Sequence, residues 1–219
     1  MKKTIIFLIA TPFFVFAQQK EDHNVVQGSE LLMSRKATKS NTIEGSPYLQ
    51  KEFLQSQITG YSKKYFLRYN ANQDEMEFMQ DNEIQYLNKI ENLEIHFPTL
   101  NKTYVLTNYI DGKGVAVSQY LVRLTDNPMK YNLYKKENIA VISGINGLNS
   151  YQKSQNDYYE KQKDTYVIKY QNKTYVVPDN VKKLDGELLI LSKDFTKNNK
   201  LKLTEPEIIK WLNYLNSKL

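Results

Sequence analysis

The residues with the strongest claim to chemistry are two carboxylates, Glu75 and Glu77, in the run Glu75-Met76-Glu77-Phe78-Met79. On an extended strand that spacing puts both on one face, roughly 7 Å apart. The distance overlaps the separation of acid and base in glycoside hydrolases. Arg68, in the run Tyr65-Phe66-Leu67-Arg68-Tyr69-Asn70, falls opposite them if the two runs pair. A guanidinium set between two carboxylates is also what an ordinary solvated strand face carries, without catalysis. Histidine offers less. His23 sits in a polar stretch with no evident partner, and His96 alternates away from Leu93, Ile95 and Phe97, onto the side expected to face solvent. Nothing sets either beside a serine and a carboxylate, as a triad needs. Two imidazoles and no cysteine leave too few ligands for a zinc site, and no thiol nucleophile or disulfide. Asp111-Gly112-Lys113-Gly114 lacks the helix and the Lys-Ser/Thr of a phosphate loop and reads as a hairpin turn. The oxygens of residues 70–74 lack the spacing and glycine of an EF-hand. Asn101-Lys102-Thr103 and Asn172-Lys173-Thr174 match a glycosylation sequon and are read as turns. No catalytic residue, metal site or cofactor is assigned.

The carboxylates need a hairpin to hold them. Two period-2 runs flank Ala71-Asn72-Gln73-Asp74, whose Asn and Asp favour turns. A four-residue connection is an accepted hairpin loop. It pairs Asn70 with Glu75, Tyr69 with Met76, Arg68 with Glu77 and Leu67 with Phe78. One face then carries Tyr65, Leu67, Tyr69, Met76 and Phe78, and the other carries the charges. A lone hairpin is marginal in water, so more sheet must follow.

The rest of the chain supplies it. Short alternating runs separated by turns recur from about residue 58 to 177, the rhythm of a meander, sandwich or barrel. They include a strand near 58–61, a third strand at 83–87, the run 93–97 and its return at 103–106. A long strand follows at 115–124, then two more about Lys136-Glu137-Asn138, and a second hairpin around Gln171-Asn172-Lys173. Residues 143–164 break the pattern and read as a long loop with a helical turn near 154–161. It bears Tyr151, Tyr158 and Tyr159, a candidate contact surface. After Pro178 the period changes. Val181, Leu184, Leu188, Leu191 and Phe195 make one apolar stripe over a helix at 181–198. A second helix, at 205–218, has Thr204 as its cap, Glu207 as capping-box partner and Pro206 in its first turn. The fold class is α+β: a curved antiparallel sheet followed by two C-terminal amphipathic helices.

Of 219 residues, the first 17 read as a signal peptide, with Lys2 and Lys3 before an apolar run and Val15-Phe16-Ala17 at the cleavage point. That run is too short to span a bilayer as a mature helix, and no second one follows, so the mature chain has no transmembrane segment. No cysteine follows the signal, which excludes a bacterial lipoprotein anchor. Residues 18–44 form a flexible polar lead, and 45–219 a single domain. The formal charge of +6 is spread along the chain and drops by two with Lys2 and Lys3. This is no nucleic-acid signature. Tyrosine is abundant, at 17 residues against one Trp. It suits both half-buried sheet faces and contact surfaces.

The segment Gly45-Ser46-Pro47-Tyr48-Leu49, then Phe53, Leu67-Arg68-Tyr69-Asn70 and Asp74-Glu75-Met76-Glu77-Phe78, resembles a family of uncharacterised secreted proteins of Bacteroidota. The Tyr-rich hairpin and the two closing helices are similar as well. The resemblance implies export and a sheet-plus-helix architecture, and carries no activity. The expectation is an exported, non-enzymatic binding or structural module of the periplasm or cell surface, with an envelope protein or glycan as partner. The alternatives are a carboxylate-dependent hydrolase and a β-sheet carrier of an apolar ligand.

Overall fold

The computed structural model describes residues 43–125, 129–144, 156–171, 173–184 and 186–218. The expected signal peptide, most of the polar lead and Tyr151 lie outside the described residues. Ten strands form one antiparallel sheet in the order β12-β11-β8-β7-β6-β5-β1-β2-β3-β4. They are β1 (Leu54–Ile58), β2 (Lys64–Asn70), β3 (Glu75–Gln80), β4 (Glu83–Tyr86), β5 (Glu94–Phe97), β6 (Lys102–Ile110), β7 (Ala116–Arg123), β8 (Tyr131–Lys136), β11 (Thr165–Tyr170) and β12 (Lys173–Val176). β9 (Ile139–Ile142) and β10 (Tyr158–Lys161) pair separately. Helices α1 (Gly186–Asn198) and α2 (Glu205–Ser217) close the chain. The architecture is the expected one: a curled antiparallel sheet, in effect a half-barrel, with two helices after it.

The first hairpin has the register its alternation dictates: Asn70–Glu75, Tyr69–Met76, Arg68–Glu77 and Leu67–Phe78. Side chains on one face of the sheet meet across strands, and this face is buried from β3 across to β11. From β1 to β7 the sheet wraps around it, enclosing Ile58, Leu67, Met76, Ile95, Leu106 and Tyr120. Further along, Tyr131, Leu133 and Ile168 continue the same face, and α1 and α2 cover them. Leu124 touches both clusters. The opposite face, called outer below, buries a smaller set, Val105, Tyr109, Leu121, Tyr134 and Val167.

Several local expectations change. The strand expected near 58–61 lies earlier, at Leu54–Ile58, and is inserted between β5 and β2. The two strands about Lys136-Glu137-Asn138 do not pair with each other. β8 pairs with β7 and β11, while β9 turns away to β10. The cause is chemical: Lys136 and Glu137 are both buried with internal partners, so the chain must dive there. Residues 158–161, expected as part of a loop with a helical turn, are strand β10. The helix expected from 181 starts at Gly186. Before it Asn180 accepts the Lys182 N–H and closes a 3₁₀ turn, Val181–Lys183. Leu184 keeps its place in the apolar stripe although it is outside the helix. Thr204 precedes α2 with extended backbone, but its hydroxyl makes no capping bond. Packing holds this helix instead. Ile208, Trp211, Leu212 and Leu215 are buried, each such side chain contributing about 1.5–3 kcal/mol.

Candidate functional site

The carboxylates that opened the sequence argument are held in a latch. Residues 45–53 run as a strap over the charged face of the first hairpin. The strap is tied at one end where Ala71 N–H donates to the Pro47 carbonyl at 3.0 Å. Arg68 donates to Glu77 Oε2 from Nη2 at 2.6 Å and from Nε at 3.1 Å. Its guanidinium lies 3.7 Å from the Tyr48 ring centre and 4.3 Å from that of Phe53. The Tyr48 hydroxyl and Asn70 Nδ2 both donate to Glu77, at 3.0 and 2.9 Å. The Glu77 side chain is 2% exposed and that of Arg68 11%. The expected solvated face is therefore a buried one, because the strap covers it. Glu75 is buried too. The ion pair between Arg68 and Glu77 is present; an open cleft between the two carboxylates is not.

A second buried network joins the hairpin turn to the end of β8. Asp74, held at φ 57, accepts from Tyr69 Oη at 2.7 Å, Lys89 Nζ at 2.9 Å and the Tyr120 N–H at 3.2 Å. Lys136 Nζ lies 3.0 Å from Asp74 and donates to Tyr69 Oη at 2.6 Å. Glu137 accepts from Lys102 Nζ and from Tyr104 Oη, both at 2.6 Å. Burial pushes the Lys136 ammonium below its ordinary pKa, with Asp74 opposing. Burial, then Asp74, lifts the Tyr69 hydroxyl well above its usual range, and burial, then Glu137, does the same for Tyr104. Each of these charges has an internal counter-group, and the network fixes the hairpin turn against the end of β8. Among the described residues no cluster of His, Cys, Asp or Glu could hold a metal.

Of the expected tyrosine surface, Tyr158 and Tyr159 are half-buried on β10, opposite Ile142 and Val141. Tyr159 packs against the inner core, and its carbonyl lies close to Gly45. Tyr158 and Tyr159 therefore sit on a strand, and Tyr151 lies outside the described residues. A cavity of about 110 Å³ lies beneath Leu49 and Leu54 and beside Phe97, Leu100 and Tyr104.

An open polar feature lies elsewhere, on the outer face of the central strands. Cross-strand register lines up Gln57 on β1 with His96 on β5, and His96 with Thr103 on β6. Thr103 lies one position beyond the pair Tyr104–Val122, opposite Arg123 on β7, and Arg123 pairs with Tyr134 on β8. Two grooves follow this row. One, of about 400 Å³, is lined by Gln57, Thr59, Tyr61, His96 and Arg123. The other, of about 390 Å³, is lined by Asn92, Val105, Tyr134, Lys130 and Lys169. Glu94 borders both and is ion-paired with Arg123 at 2.7 Å. His96 Nδ1 is hydrogen-bonded to Thr103 Oγ1 at 3.1 Å. Among the described residues, Nε2 of His96 and the amide of Gln57 have no protein partner. Sequence reasoning placed His96 on this face but could not see that Gln57, Thr103 and Arg123 would stand beside it.

The fold and this face define a curled antiparallel β-sheet protein with a polar trough across its central strands. No protein-family model matches the chain, and neither a curated protein nor a solved structure matches it. Among the described residues no helix is long and apolar enough to cross a membrane.

Proposed function

We propose that the protein is an exported, non-enzymatic binding module of the cell envelope, which meets its partner through the outer face of its central strands. One observation carries this reading: the division of the polar groups. Asp74, Glu77 and Glu137 are consumed by internal partners, whereas Gln57 and His96, beside the Arg123–Glu94 pair, line an open trough. Export is supported by the signal-like opening, and the envelope by the resemblance to secreted Bacteroidota proteins. A carboxylate-dependent hydrolase draws no support from Glu75 and Glu77, which are both buried, with Arg68 on Glu77. An apolar carrier draws none from a cavity of about 110 Å³, smaller than the roughly 150 Å³ that a benzene-sized guest fills.

The test is retention of solubilised envelope components on the immobilised secreted form. The wild type should retain a component that the double variant Gln57→Ala/His96→Ala releases. Equal retention by that variant would overturn the proposed surface. Turnover of a glycosidic substrate that is lost with Glu77→Gln in a folded variant would overturn the non-enzymatic role.

A further inference from the structure

We propose that the trough binds a linear glycan laid across the strands, an inference that rests on the binding role argued above. The strands beneath it are central ones, β1, β5, β6, β7, β8 and β11. At Gln57, His96 and Lys169 the backbone pairs with neighbouring strands on both sides. An extended peptide that adds to a sheet needs a free edge, and the free edges here are β4 and β12, away from the grooves. Recognition in the trough must therefore come from side chains alone.

Those side chains suit vicinal hydroxyls. The amide of Gln57, the imidazole of His96, the guanidinium of Arg123 and the carboxylate of Glu94 are planar groups, and together they both donate and accept. Sugar hydroxyls do both at adjacent carbons, so each planar group can meet a pair. Tyr61 lines one groove, supplying aromatic surface for the C–H face of a sugar ring, while Tyr134 is buried in the floor of the other. Apolar side chains are too few to anchor a hydrophobic helix. The Glu94–Arg123 pair balances its own charge at the middle, and Lys130 and Lys169 make the far end basic.

Length argues for a chain rather than a single sugar. From β1 to β11 there are five strand intervals, about 24 Å at the usual spacing. Glu94 borders both grooves, so one ligand can run through the two without leaving the surface.

The experiment is calorimetric titration of the secreted form with chitohexaose, laminarihexaose, maltohexaose and a hexagalacturonate, each beside its trimer. At least one hexamer should bind at millimolar concentration or tighter, more tightly than its trimer. Gln57→Ala/His96→Ala should weaken it at least tenfold with unchanged thermal unfolding, while Ile190→Ser, on an exposed face of α1, leaves it intact. Preference for the hexagalacturonate, abolished by Lys130→Ala/Lys169→Ala, identifies the basic end as a uronate subsite and supports the proposal. No hexamer binding, or binding untouched by the trough variants, overturns it. If the double variant still releases an envelope protein while no saccharide binds, the glycan is wrong and the binding role stands. If nothing is retained or bound, both fall.

Discussion

Arg68→Ala should destabilise the protein by about 3 kcal/mol. Removing one partner of a buried ion pair typically costs about 3–5 kcal/mol, because the other charge is left without its counter-ion. Both side chains here are nearly inaccessible, Arg68 11% and Glu77 2% exposed. The lower end applies because Glu77 keeps two donors, Tyr48 Oη and Asn70 Nδ2. Loss of the guanidinium from between the Tyr48 and Phe53 rings adds to the effect; such contacts contribute about 0.5–2 kcal/mol. Domains of this kind are stable by only about 5–15 kcal/mol, so the loss is a large fraction. Arg68→Lys should also be costly, since a point charge cannot reproduce two donors to Glu77 and a stacked plane.

Urea unfolding followed by far-UV circular dichroism and by the fluorescence of the single Trp, Trp211 on α2, measures the loss. Coincident curves with an unchanged slope make the comparison valid. Hydrogen exchange at the Ala71 amide adds a local readout, because it donates to the strap carbonyl of Pro47 and should exchange faster in Arg68→Ala. A loss below about 1 kcal/mol, the range of exposed pairs, with Ala71 exchange unchanged, would refute the latch.

Three further outcomes follow from the same geometry. Gly45 has φ +89 and approaches the Tyr159 carbonyl. Gly45→Ala should therefore destabilise by about 1 kcal/mol or more in urea titration; a stabilising result would show that the strap does not hold that conformation. Thr204→Ala should cost under about 0.5 kcal/mol, because the hydroxyl makes no cap bond; the roughly 1 kcal/mol of a working N-cap would contradict the structure. Alkaline pH should unfold the chain through Tyr69 and Tyr104, whose ordinary value is 10.0 and whose folded values are raised by burial. The folded state holds their protons where the unfolded state has lost them. Their contribution is thus complete below about pH 10 and falls by about 1.4 kcal/mol per pH unit for each above it. Lys136, lowered from 10.5, acts with the opposite sign: its contribution rises with pH up to that value and then levels. Phenolate absorbance of these two rings should rise together with loss of circular dichroism; smooth titration near pH 10 with the fold intact would exclude the effect.

Alternation of side chains was enough to reveal the first hairpin, down to which residue faces which, because period 2 and a polar turn determine a local register. The same logic marked Leu93, Ile95 and Phe97 as inward, and all are buried. It failed where burial depends on distant chain. Arg68 and Glu77 look like a solvated pair until residues 45–53 fold over them, and nothing in a strand's own pattern announces a strap. It failed again at Lys136 and Glu137. Charged residues are expected at turns, yet these two are buried because Asp74 and Lys102 come from strands far along the chain. The Thr204 capping box was a local rule overridden by packing. Gln57, His96, Thr103 and Arg123 come from four strands whose lateral order follows from the insertion of β1 beside β5, a long-range choice that local periodicity does not encode.

The motif residues of 45–53 and 67–78 have a common physical role. Gly45 admits the strap, Tyr48 and Phe53 clamp Arg68, and Asn70 and Glu77 complete the latch, while Asp74 anchors the neighbouring network. A motif of this kind specifies an architecture. The trough residues Gln57, His96 and Arg123 lie outside it, on strands the latch only holds in register. On the proposed binding role, a change at Gln57 or His96 should alter what is bound without disturbing the fold, whereas Arg123 also holds Glu94. A change in the latch should remove both together, because the strap runs directly into β1, the strand that carries Gln57.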